Sequence, residues 1–105
     1  MTVLEIRSLC SEDTIMMTEH IVLRCRQRGI RYGDIEQAIL TGEIIEEYQS
    51  DYPYPSCLIL GSTICGKYLH VVAGIGENKL WITTAYYPDP AKWEKDLKTR
   101  KAVKI

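Results

Sequence analysis

The fold turns on Tyr68-Leu69-His70-Val71-Val72-Ala73 and Leu80-Trp81-Ile82-Thr83-Thr84-Ala85-Tyr86-Tyr87, joined by the segment Gly74 to Lys79. Both runs are rich in β-branched and aromatic residues, and the joining segment holds two glycines and Asn78, so the stretch predicts a strand, a hairpin turn and a strand. A second hairpin precedes it, because Cys57-Leu58-Ile59-Leu60 leads into Gly61 to Lys67, with Gly61 and Gly66 in the turn. Two hairpins in succession give an antiparallel meander. Ile44-Ile45-Glu46-Glu47-Tyr48 adds a strand before it. Asp51 to Ser56 must be a loop, since Pro53 and Pro55 remove ladder donors and fix the backbone.

Upstream of the meander the period changes to that of a helix. Ser11 or Asp13 can cap a first long helix that ends near Arg28, where Gly29 can take a left-handed conformation and Ile30 can fold back on the last turn. Asp34 can cap a second, short helix carrying Ile35, Ala38 and Ile39, and Gly42 stops it. Met1 to Ser11 reads either as a leading strand or as a first turn of helix. Downstream, Pro88 ends the last strand, Asp89 can cap, and Pro90 suits the first turn of a short C-terminal helix with Trp93 and Leu97. The expected architecture is α+β: N-terminal helices packed on an antiparallel sheet of about four strands, closed by that helix. With 105 residues, one domain over residues 1–105 is expected. Val22, Ile39, Leu58, Ile59, Val71 and Ile82 are expected to share largely one core.

Composition narrows the functional classes. No apolar run approaches the roughly 20 residues that cross a bilayer, and the first residues lack the order of a signal peptide, so a cytoplasmic protein without a membrane partner is expected. The four cysteines, Cys10, Cys25, Cys57 and Cys65, form no Cys-x-x-Cys pair. Neither a disulfide framework nor a metal site is therefore expected. Gly61-Ser62-Thr63 and Gly74-Ile75-Gly76 lack the following lysine or helix of a phosphate loop, so no nucleotide cofactor is expected either. The net charge of -1 hides an acidic stretch from Tyr32 to Gly66 and a basic one from Lys92 to Ile105. Such a tail is ordinarily a solvated surface; its functional alternative is contact with a polyanion or an acidic protein.

The side chains best matched to proton transfer are the chain's two histidines, His20 and His70. At about 100° per residue, His20, Arg24 and Gln27 fall within roughly 60° of one another, beside a packing arc of Met17, Ile21, Val22 and Cys25. His70 shares a strand face with Tyr68 and Val72, and one register would set Thr84 and Tyr86 beside it.

These residues also carry a family resemblance. His20-x-x-x-Arg24-x-x-x-Arg28-Gly29-Ile30, Pro53-Tyr54-Pro55-Ser56-Cys57-Leu58, His70-Val71-Val72, Thr84-Ala85-Tyr86 and Pro88-Asp89-Pro90-x-x-Trp93 together resemble the bacterial domain of unknown function family 4258, over about Thr18 to Trp93. That family is similar in architecture to small toxin ribonucleases of the RelE and barnase-like group. The resemblance implies helices on an antiparallel sheet and RNA cleavage without metal by a few polar side chains. The positions matching the motif are His20, Arg24, His70, Thr84 and Tyr86. In such a reaction His20 and His70 would serve as base and acid in either order. Arg24 would face the phosphate, and Thr84 and Tyr86 would hydrogen-bond the scissile group. The implied partners are RNA, free or on the ribosome, and a cognate antitoxin or other protein. The alternative is a non-enzymatic binding module or regulatory partner in a pair of toxin–antitoxin type, for which Tyr48, Tyr52 and Tyr54 around the proline loop supply interface aromatics. Convergence of His20, Arg24, His70 and Tyr86 within one substrate's width separates the two readings.

Overall fold

The computed structural model describes residues 1–102, so the last three residues of the basic tail lie outside the described chain. Its elements are α1 (Val3–Ser8), β1 (Ile15–Met16), α2 (Glu19–Gln27), α3 (Tyr32–Thr41), β2 (Glu43–Tyr48), β3 (Ser56–Ser62), β4 (Tyr68–Gly76) and β5 (Lys79–Tyr86). The architecture is α+β, with a five-stranded sheet in the order β1-β5-β4-β3-β2. β2 to β5 form the expected antiparallel meander, whereas β1 joins the edge of β5 in parallel, through Ile15 opposite Leu80 and Met16 opposite Trp81.

That added strand corrects the predicted first helix. Residues 11–17 are not helical: the Thr14 carbonyl accepts the outward N–H of Leu80 at 2.8 Å, drawing Ile15 and Met16 into the sheet. The helix starts instead at Thr18, whose hydroxyl accepts the Ile21 N–H at 3.2 Å as an N-cap. Its end matches expectation, since Gly29 has φ of 71° and Ile30 folds back to donate to the Cys25 carbonyl at 2.8 Å. Met1 to Ser11 resolves to α1, capped by Thr2. Asp34 sits inside α3 rather than capping it; its carboxylate reaches back to the Arg31 N–H at 3.0 Å and also accepts Ile64 N–H at 3.2 Å.

Three glycines predicted as turn residues, Gly61, Gly74 and Gly76, lie within strands. A Cβ on Gly61 would stand 1.9 Å from the Ala38 carbonyl oxygen, so glycine lets α3 seat directly on β3. At Gly76 a Cβ would stand 2.3 Å from Cδ1 of Tyr54, whose ring crosses the strand. The second turn is Glu77-Asn78 alone, both with positive φ, as a two-residue hairpin turn requires.

The sheet separates two apolar layers. Cys57, Ile59, Leu69, Val71, Ala73, Leu80, Ile82 and Ala85 pack with Ile6, Cys25, Ile35, Ala38 and Ile39 on the helix side. Leu58 and Val72 face the other way, against Trp93, with Ile45, Tyr48 and Leu97 around them. The expected single core is thus two, and Val22 belongs to neither, being 39% exposed on α2. The covering segment of the second layer is not the predicted C-terminal helix. Asp89 and Asp96 accept backbone N–H groups of Ala91, Lys98 and Thr99, and Leu97 takes a left-handed φ of 59°. These local bonds replace helical ones. An antiparallel bridge from Trp93 to Arg100 closes the segment, which we call the C-terminal strap, Pro88 to Lys101. Among the described residues no helix is long and apolar enough to cross a membrane.

Leu58 is fully buried in the smaller layer. Leu58→Ala is accordingly expected to cost about 2–5 kcal/mol in urea unfolding. A loss under about half a kcal/mol would mean that the strap does not cover this face in solution.

Candidate active site

Alternation along β4 puts Leu69, Val71 and Ala73 on the helix side, so His70 and Val72 must face the strap. The register sets His70 opposite Tyr86 and Val72 opposite Thr84. The expected clustering of His70, Thr84 and Tyr86 on one sheet face is therefore present. A bulge at Thr83 makes it so: without the extra residue, Thr84 and Tyr86 would share the face of Leu80 and Ile82.

His70 has no solvent exposure. Its Nε2 lies 2.8 Å from the Leu97 carbonyl oxygen and its Nδ1 lies 3.3 Å from the Tyr86 hydroxyl. A carbonyl can only accept, so Nε2 carries the ring proton and Nδ1 is the acceptor for the phenol. Trp93 meets the imidazole edge to face at 4.5 Å between centroids, and Tyr86 does so at 5.3 Å. Burial of the imidazolium holds the His70 pKa below the ordinary histidine value, against the opposing pull of the Leu97 carbonyl and Glu46. Burial likewise raises the Tyr86 pKa. The pair therefore rests as neutral phenol and neutral imidazole.

Around this pair stands a charged frame. Arg100 grips Glu46 with Nε to Oε2 at 2.9 Å and Nη2 to Oε1 at 3.0 Å, while its guanidinium lies 4.7 Å from the Trp93 ring centre. Tyr48 donates to the same carboxylate at 2.6 Å. Arg100 and then Tyr48 hold the Glu46 carboxyl below its usual range, and burial followed by Glu46 pushes Tyr48 up to about 12. At the other rim, Arg28 reaches from the end of α2 around the edge of β5, donating to the Ala85 carbonyl at 2.8 Å and to Thr84 Oγ1 at 3.4 Å. Between these rims opens a concavity of about 380 Å³, lined by Arg28, Tyr86, Lys92, Trp93 and Arg100, with Tyr87 and Asp89.

His20 and Arg24 are exposed on α2 and line none of these walls. The helix packs its Ile21 and Cys25 side into the helix-side layer, while the His70 ring points into the opposite one. The predicted pairing of two histidines is thus not assembled. Arg28, one turn further along the same stripe, lines the concavity where Arg24 does not. Arg28 was visible in the sequence as the third member of that four-residue spacing. Arg100, Trp93 and Glu46 were not, because their pairing depends on how the strap crosses the sheet.

The buried imidazole has a consequence for stability. An unfolded chain takes up a proton on His70 as pH falls through about 6.5, whereas the folded one resists it. The stabilisation is complete above that value and declines below it. Urea midpoints should therefore fall from pH 7.5 to pH 5.5, before the Glu46 contribution is lost in the carboxylate range. A His70→Gln variant should show a flatter profile over the same window; an equally steep one would assign the fall to other groups.

Comparison with known proteins agrees with the motif reading. No curated protein and no solved structure matches the chain. A family model described as Domain of unknown function (DUF4258) matches residues 17–87. That span runs from the residue before the α2 cap to the end of β5 and includes His20, Arg24, Arg28, His70, Thr84 and Tyr86, and on this match the chain belongs to the DUF4258 family.

Proposed function

We propose that this protein is a metal-independent, toxin-like ribonuclease of the RelE and barnase-like kind, cleaving cytoplasmic RNA by attack of a 2′-hydroxyl on the adjoining phosphorus. The observation that carries the reading is the Tyr86 hydroxyl, bonded to an acceptor nitrogen of neutral His70 while its own ring lines a concavity walled by Arg28, Lys92 and Arg100. As the 2′-oxygen bonds to phosphorus, its proton passes to Tyr86 Oη and the phenol proton passes to His70 Nδ1. Glu46 favours the imidazolium so formed. Arg28 and Arg100 oppose the charge that builds on the phosphoryl oxygens, and Thr84 holds Arg28 in place. The bond to the 5′-oxygen breaks, and the Lys92 ammonium supplies the proton to that leaving group. Arg24 and His20, one and two turns before Arg28 on α2, extend the same edge as contacts for the rest of the strand.

Purified protein incubated with ribosome-bound and free RNA in EDTA should leave 2′,3′-cyclic phosphate ends, and its expression should slow growth. Two observations favour a second reading, a non-enzymatic binding module or the regulatory partner of a toxin–antitoxin type pair: His20 and Arg24 do not converge with His70 and Tyr86, the arrangement on which the two-histidine enzyme depended, and His70 is completely buried. Absence of cleavage on every RNA tried would select it.

A further inference from the structure

A second concavity, of about 420 Å³, opens beside the same strand edge, where the loop after β2 meets the start of α2 and residues 81–83 of β5. Its character differs from the first. The flat faces belong to Tyr54 and Trp81, whose ring centres are 5.8 Å apart, and Tyr52 stands at the mouth with 95% of its surface exposed. The Trp81 ring is fixed by its N–H to the Gly76 carbonyl at 2.9 Å, and Pro53 and Pro55 stiffen the loop. Among the lining residues the charged one is Asp51. Its Oδ2 accepts from Ser56, while Oδ1 has no hydrogen-bond donor among the described residues. An anion is repelled here, and a purely apolar guest leaves a carboxylate oxygen unmet. A flat, neutral heterocycle that carries N–H donors satisfies both features.

We infer that this concavity is a base-binding subsite that takes a nucleobase bearing an exocyclic amino group (adenine, cytosine or guanine) in preference to uracil, and so sets which RNA sequence is cut. The inference rests on the phosphodiester reading of the first concavity. From Thr83 to Tyr86 the strand advances about 10 Å. One RNA strand following the β5 edge beside α2 can thus hold a phosphate at Arg28 and a neighbouring base against the Tyr54 and Trp81 rings, with Tyr52 at the mouth. Aromatic faces supply stacking for any base, and the amino group meeting Asp51 Oδ1 supplies the selection.

The test uses 2′-deoxydinucleotides, which lack the attacking hydroxyl and cannot be cut, with binding read by tryptophan fluorescence of the full chain. Dinucleotides with deoxyadenosine, deoxycytidine or deoxyguanosine at the selected position should bind at least about tenfold more tightly than those with deoxyuridine, the scale of one good base-edge contact. Asp51→Ala, which removes both acceptor oxygens, should abolish the preference, and Tyr52→Ala, a fully surface change, should weaken all amino-bearing bases by about fivefold or more. Arg28→Ala should weaken every dinucleotide alike. Equal binding of deoxyuridine, or a preference that survives Asp51→Ala, overturns the subsite. RNA left uncut by a protein that still shows the base preference would overturn the nuclease and leave the subsite standing.

Discussion

Tyr86→Phe is expected to lower RNA cleavage by about 10²–10⁴-fold, the range for loss of a positioned proton-transfer group, and to cost about 1–3 kcal/mol in urea unfolding because the buried His70 Nδ1 loses its donor. The phenol lines the concavity and its hydroxyl is hydrogen-bonded to a neutral imidazole nitrogen that can take its proton. Removing its oxygen leaves the ring against His70 but interrupts the proposed path from the 2′-hydroxyl to Nδ1. His20→Ala should alter the rate by less than about tenfold, because the ring is exposed on α2 and lines neither concavity. The two variants together separate a Tyr86–His70 mechanism from the two-histidine mechanism that the sequence suggests. A large loss in His20→Ala with Tyr86→Phe fully active would reverse the assignment. Because phenol and imidazole titrate as a linked pair, the limbs of the rate profile would report the site as a whole.

The parts legible in the sequence are those fixed by short-range rules. Strand alternation and two turn signals account for the meander, but strict alternation alone would leave Thr84 and Tyr86 on the face of Ile82; the bulge at Thr83, which no local signal announces, carries them to the face of His70. Gly29 stopped α2 by local backbone geometry, which needs no tertiary information. What was missed depends on distant partners. β1 is two residues long and exists through its pairing with Leu80 and Trp81, so no periodicity announces it. Trp93 and Leu97, four apart, imitate a helical stripe, yet Asp89 and Asp96 capture the backbone N–H groups that a helix would use. The helical arc of His20 and Arg24 identified neighbours on one helix but could not say which sheet face they would meet. His70 was assigned to that helix, whereas the strap covers it.

Trp93→Ala carries the largest expected loss of stability, about 3–5 kcal/mol, as for other buried aromatic truncations. Trp93 is 4% exposed and does three things at once. It fills the space over Leu58 and Val72, it presents its ring to the edge of His70, and it provides the face on which the Arg100 guanidinium rests. Loss of the ring opens a path for water to the imidazole while leaving Leu97 and Tyr86 in the sequence to bond it. The burial that lowers the His70 pKa then weakens, so its titration should move up toward the ordinary histidine value near 6.5, and the acid-side decline in stability should flatten with it. NMR titration of the His70 ring in the parent and in Trp93→Ala checks the shift, and urea unfolding checks the loss. Trp93→Phe should restore most of the stability and the lowered pKa, since the smaller ring still covers the same edge. An unchanged His70 titration in a folded Trp93→Ala protein would mean that the rest of the strap, through Leu97 and the Arg100–Glu46 pair, is enough to keep water out.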